Sequence, residues 1–195
     1  QPSALWEEKA TALKQFIQTE LWDAETGFFY DAWTVRTPAD RHLAFEGMWP
    51  VVVGAATPEQ AKRVIDEHLL NRDEFFTPHA IATVGLSDSK FEVRMWRGPV
   101  WNDMTYWAAR GCMRYGHPNA ARQLLERALD ATATQFLRTG TLWEFYHPLL
   151  GNQTSVKRKT RGPQTPCPEY VGHNPLFAMA DLWRKSSAEA KKIPK

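Results

Sequence analysis

The 195-residue sequence has only two cysteines, Cys112 and Cys167. That excludes a disulfide scaffold and a metal site built from cysteine alone, and it leaves the redox compartment open. Apolar runs are short. None approaches the roughly 20 residues of a membrane span, and no signal-peptide pattern is visible, so no membrane partner is expected. An excess of charge is also missing: the formal net charge is +2 and the basic residues are scattered. The one basic cluster, Lys157-Arg158-Lys159 with Arg161, follows a loop glycine and has no second basic stripe. It reads as a solvated loop, and no nucleic-acid partner is expected. Cys167, Glu169 and His173 lack a metal-type spacing, so no metal is expected.

Tryptophan is abundant, with nine residues, and aromatics make up 12% of the chain. An indole suits both cores and flat amphipathic surfaces. Several of these tryptophans stand in polar, Gly/Pro-containing stretches rather than in periodic segments, which favours ligand-facing aromatics over simple core filling. The length suffices for one domain with a sizeable core.

Periodicity predicts an all-α chain of six helices, near 4–20, 48–56, 58–70, 101–116, 118–137 and 173–185. The first, third and fifth are amphipathic, with apolar series such as Trp6, Ala10, Leu13, Ile17 and Leu21. Thr57-Pro58-Glu59-Gln60 starts the third with a capping residue, a first-turn proline and a glutamine three residues on. The second, fourth and sixth are apolar or small almost all round, as helices buried on more than one side are. The alternation implies two layers, outer helices wetted on one face and inner helices enclosed.

The connections alternate too. Those leading into inner helices, 22–47, 71–100 and 138–172, are long, and compact domains rarely carry such loops without a functional reason. In an up-down array they gather at one end, over the N-termini of the inner helices. There the third connection places Glu144 within Leu142-Trp143-Glu144-Phe145-Tyr146-His147. A carboxylate among aromatics is costly to desolvate and needs a partner or a role. The stretch itself offers no cation, so the Glu144 carboxylate is expected at a cavity floor, uncovered by Lys or Arg, with Trp96 and Trp101 facing the same cavity.

Met95-Trp96-Arg97-Gly98-Pro99-Val100-Trp101 followed by Leu142–Gly151 resembles glycoside hydrolase family 63, in its mannosylglycerate/glucosylglycerate hydrolase-like branch. Supporting stretches at 21–31, 48–61, 75–84 and 170–183 extend the resemblance, in order, over nearly the whole chain. It implies an (α/α)6 toroid of twelve helices, of which residues 1–195 supply the C-terminal half. It also implies an inverting α-glycosidase acting on a small α-glucoside or α-mannoside, with glycosylated organic acids among the candidates. Glu144 matches the general base. The general acid, an Asp, belongs to the N-terminal half, and the sequence is expected to begin after that region. The complementary half is therefore an expected partner, from the same gene product or a second chain. No cofactor follows from this mechanism. A carbohydrate-binding half-toroid without catalysis and a helical protein-interaction scaffold are the alternatives.

The remaining candidates carry two readings each. Trp96 and Trp101 flank a rigid Gly98-Pro99 and either hold indoles against a sugar ring or anchor the helix entry. Arg97 either bonds the substrate or clamps loop carbonyls. Tyr146 either orients Glu144 or a sugar hydroxyl, or packs under the loop. His173 is more often a structural donor at a helix start. Asp103 either caps the fourth helix or points into the pocket.

Overall fold

A computed structural model describes residues 2–159 and 164–191. Arg161 of the basic cluster lies outside them. The helices are α1 (Pro2–Glu20), α2 (Trp49–Val53), α3 (Pro58–Arg63), α4 (Asn102–Arg114), α5 (Pro118–Thr139) and α6 (Leu176–Ala190). A 3₁₀ turn, Phe45–Met48, leads into α2, and α3 continues as a wider π-helical segment, Val64–Leu69. None of the described helices is long and apolar enough to cross a membrane.

Local chemistry sets the ends. The Thr57 hydroxyl accepts from the Gln60 N–H at 3.2 Å, and the Gln60 side chain accepts from the Thr57 N–H at 2.9 Å, a complete capping box. α2 is shorter than expected because Gly54 turns left-handed, at φ +79°, directly after Val53. α6 starts at Leu176 rather than near 173, since Pro175 biases Asn174 away from helical backbone.

α4 packs against both α2 and α6, which makes it the middle member of an inner row, and α5 covers α4 and α6. Phe28, Phe75, Ile65, Leu124, Leu125 and Met179 fill the core. At Gly47 a Cβ would lie 2.2 Å from the Phe28 ring, so only glycine admits that aromatic beneath the entry to α2. α1 is tied on through Ile17 and Leu21, and through Gln18, whose side chain donates to the Ala55 carbonyl at 2.7 Å.

The enclosed character expected of all three inner helices holds for α4 alone. Trp49 and Val53 on α2, and Phe177 and Trp183 on α6, are exposed, as are Trp6, Leu13 and Phe16 on α1. Among the described residues the inner row has three members, so its two flanking helices lack a neighbour on one side.

The long connections contain short hairpins: β1 (Trp22–Asp23) with β2 (Phe28–Phe29), and β3 (Phe76–Thr77) with β4 (Ala80–Ile81), both antiparallel. Arg127 of α5 holds the second, its guanidinium 3.7 Å from the centre of the Phe76 ring and donating to the Thr77 carbonyl at 3.0 Å.

Candidate active site

The second and third long connections are joined by backbone. Val100 and Tyr146 exchange N–H···O bonds of 2.9 and 3.0 Å, and the Met95 N–H donates to the Lys157 carbonyl at 2.9 Å. These bonds carry Glu144 to the start of α4. There Trp101, Asn102, Asp103, Glu144, Tyr170, His173 and Asn174 line a narrow, tightly packed crevice. It lies at the N-termini of α4 and α6, the end at which the long connections gather.

Glu144 is almost wholly buried, its side chain 4% exposed. The expectation of an uncovered carboxylate is wrong. Arg158 donates through Nε to Oε2 at 2.7 Å, with an Nη2 contact to Oε1 at 3.4 Å. The Cys167 N–H donates to Oε2 at 3.1 Å, and the Glu144 N–H returns a bond to the Cys167 carbonyl at 2.9 Å. Arg158 is thus not part of a solvated loop. A buried carboxylate needs a countercharge, and the fold brings one from 14 residues on. The carboxylate in turn holds the Arg158 pKa up through their hydrogen bond. From the described residues, Oε2 receives two short bonds and Oε1 only the long one.

The tryptophans divide their roles. Trp101 is 4% exposed, tilted against Phe145 with ring centres 4.9 Å apart, and donates to the Met95 carbonyl at 3.3 Å. Trp96 covers one face of it, parallel within 4° and 3.9 Å between ring centres. With Trp96 on one face and Phe145 against it, Trp101 lines the crevice as an anchor rather than a free stacking surface. Trp96 is 45% exposed and does not line the crevice, so the expected common cavity contains Glu144 and Trp101 only.

The other sequence candidates stand apart. Arg97 is at the surface, 3.3 Å from Glu92. Gly98, at φ +140°, donates to the Thr83 hydroxyl at 3.0 Å, and a Cβ there would lie 2.6 Å from the Glu92 carbonyl oxygen. It makes the bend that presents Trp96. Tyr146 is buried. Its ring stacks on His79 with 4.4 Å between centres, and its hydroxyl accepts from the Trp143 N–H at 3.0 Å. Burial pushes its pKa up.

Residues that the sequence left undecided or missed complete the wall. Asp103 sits in the first turn of α4, where Oδ1 accepts from the Met104 N–H at 2.9 Å, and burial raises its pKa. Tyr170 also titrates high, through burial and then the charges of Glu144 and Asp103. Asn102 bonds Asn174 at 3.2 Å and Thr132 at 3.0 Å, linking the crevice wall to α5. Tyr170 and Asn174 precede the third inner helix, so the topology rule that singled out Trp101 pointed at them too. A larger cavity, about 440 Å³, beside the first connection is lined by Phe29, Tyr30, Asp31 and Glu46 among others and holds no residue of the Met95–Trp101 or Leu142–Gly151 motifs. Among the described residues, no three His, Cys, Asp or Glu side chains converge to hold a metal ion.

Residues 1–164 match the model of the mannosylglycerate hydrolase MGH1-like glycoside hydrolase domain. The chain belongs to that family. Among the chain's curated relatives, the cytosolic neutral trehalase of Kluyveromyces lactis is 31% identical over 138 residues, 68% of this chain and 18% of the trehalase. The mannosylglycerate hydrolase of Thermus thermophilus is 29% identical over 132 residues, 67% of this chain and 30% of that protein. The family 63 mannosylglycerate hydrolase from Thermus thermophilus, solved with Tris and D-glycerate, superposes with a TM-score of 0.56 at 24% identity, covering 85% of this chain and 35% of that one. Neutral trehalase Nth1 from Saccharomyces cerevisiae superposes with a TM-score of 0.68 at 22% identity, covering 98% of this chain and 33% of that one. The fold is therefore part of the (α/α)6 toroid of family 63 and trehalase proteins, and the chain spans about a third or less of these proteins' lengths.

Proposed function

We propose that this chain carries the general-base half of an inverting α-glycosidase active site, with Glu144 as the base. The observation that carries the reading is the asymmetry of the Glu144 carboxylate. Among the described residues, Oε2 is held by Arg158 and the Cys167 N–H, while Oε1 has only a 3.4 Å contact. Such a carboxylate is fixed in orientation and keeps lone pairs for a water. An inverting enzyme needs that water on the face of the sugar opposite the leaving group, with the two carboxyl groups roughly 6.5–9.5 Å apart. The base takes the water's proton as the water attacks the anomeric carbon, and the acid protonates the departing oxygen. The exposed face of Trp96 offers an apolar surface to the sugar. Relatives named mannosylglycerate hydrolase and trehalase support a small glycoside as substrate.

The acid is an Asp outside this sequence, in the N-terminal half of the toroid, and the present chain is the C-terminal half. The bare apolar side chains of α1, α2 and α6 support a docked complement. We expect no turnover from the chain alone. With the complementary half added, hydrolysis of mannosylglycerate, glucosylglycerate or trehalose appears, and Glu144→Gln abolishes it while sparing sugar binding. Robust turnover by the isolated chain, or an active Glu144→Gln assembly, overturns this reading.

A further inference from the structure

A buried hydroxyl behind the crevice joins the elements that carry Glu144, and the base mechanism gives it no task. Resting on the reading above, we propose that Thr132 is a positioning residue for Glu144, holding the segment that carries the base through Asn102 and His79 without touching the base itself.

The junction draws side chains from four parts of the chain. Thr132 is buried in α5. Its hydroxyl accepts from the Asn102 side-chain amide at 3.0 Å, and the same amide donates to Asn174 Oδ1 at 3.2 Å. Asn102 is the first residue of α4, and Asn174 stands just before α6. From the second connection, His79 brings Nε2 to 3.2 Å from the hydroxyl. Burial keeps that imidazole neutral, its pKa pushed down to about 3, so Nε2 can accept the hydroxyl proton. The other acceptor in reach, Asn102 Oδ1, is farther away at 3.4 Å. One hydroxyl thereby accepts from α4 and donates to the second connection.

Both arms reach the base. Val100, two residues before Asn102, exchanges backbone bonds with Tyr146, two residues after Glu144. His79 stacks on the Tyr146 ring with 4.4 Å between centres, and its N–H meets the Pro148 carbonyl at 3.4 Å. The segment 144–148 is thus gripped from two sides by residues that share the Thr132 hydroxyl. A shift of Tyr146 displaces a carboxylate only two residues away, and misplacing a reacting group by about 1 Å can cost about 100-fold in rate.

Valine has nearly the shape of threonine and lacks only its hydrogen bonds, while serine keeps the hydroxyl. Hydrogen exchange of the isolated chain compares the wild type, Thr132→Val and Thr132→Ser. The Glu144, Tyr146 and Cys167 N–H groups bond to Cys167, Val100 and Glu144 respectively. In Thr132→Val these three amides should exchange about tenfold faster, the size of a lost buried hydrogen bond, while the mid-helix amides of α4 change by less than about twofold. Thr132→Ser should return them close to wild type. Equal acceleration across α4 and the site, no acceleration at the site, or no rescue by serine would each overturn the proposal. In the chain assembled with its complementary half, Thr132→Val should lower kcat about 10- to 100-fold with KM within about twofold of wild type, and Thr132→Ser should recover most of the loss. An unchanged kcat in Thr132→Val also overturns it. Loss of the base reading shows separately, as turnover surviving Glu144→Gln.

Discussion

α4 and α1 are similar in apolar content and opposite in fate. α4 is enclosed by α2, α5 and α6, and only Arg110 and Arg114 along it are exposed. α1 leaves Trp6 and Leu13 66% and 59% exposed, and holds on mainly through its last turn. Both crevice carboxylates depend on the enclosed region: Asp103 is in the first turn of α4, and the Val100–Tyr146 pairing fixes Glu144 beside it. The comparison separates the region whose apolar side chains are packed from the one whose apolar side chains are bare. Burial drives packing only where a second surface exists to pack against.

Four measurements break or sharpen that contrast, each by urea denaturation of the isolated chain. Phe145 is fully buried between Trp101 and the third connection, so Phe145→Ala should cost about 3–5 kcal/mol. A cost below about 1 kcal/mol would mean the site region is not part of the cooperative core.

Acid should come next. His79 is buried against Tyr146, its Nε2 3.2 Å from the Thr132 hydroxyl, and burial depresses its pKa to about 3. Its folded value lies below the unfolded value of about 6.5, so below pH 6.5 the unfolded chain takes up a proton that the folded chain refuses. Stability is then full above about pH 6.5 and falls toward pH 3, by at most about 1.4 kcal/mol per unit from this group. Burial also lowers the pKa of His147, which adds in the same direction. His68, raised in its contact with Glu74, acts oppositely, adding stability below its unfolded pKa and losing it as pH rises through the folded one. His79→Gln should flatten the wild-type slope between pH 6 and 4. An unchanged slope removes His79 as its source.

Gly98→Ala should cost about 1–3 kcal/mol, because φ +140° is strained for alanine and the Glu92 carbonyl blocks the Cβ. Trp96 fluorescence should change with it, since that bend sets the Trp96–Trp101 stack. The smallest effect belongs to α1. Trp6→Ser should stay within about 0.5 kcal/mol of wild type in the isolated chain. The same substitution should weaken association with the complementary half. A large cost in the isolated chain would show that α1 is already covered, and would remove the contrast with α4.

Sequence alone determined the number and order of the helices, because side-chain periodicity and capping chemistry are local. Thr57 with Gln60, and Gly140 after α5, mark ends that no tertiary contact needs to define. The end of the molecule that carries Glu144 followed from connection length, and family membership followed from the Trp96–Trp101 and Leu142–Gly151 motifs. Tertiary structure decided the partners. The Arg158 guanidinium reads in sequence as one more charge in a basic run, and only a backbone pairing between 93–95 and 157 turns it onto Glu144. Trp101 and Tyr146 are aromatics in motifs suited to binding, yet packing consumed their faces, Trp101 under Trp96 and Tyr146 against His79. Asp103 could cap α4 or point into the pocket until the third connection folded over it and formed the crevice wall. Pairings of this kind join residues tens of positions apart. No local spacing encodes them, because their energy comes from burial and countercharge that exist only once the chain has closed.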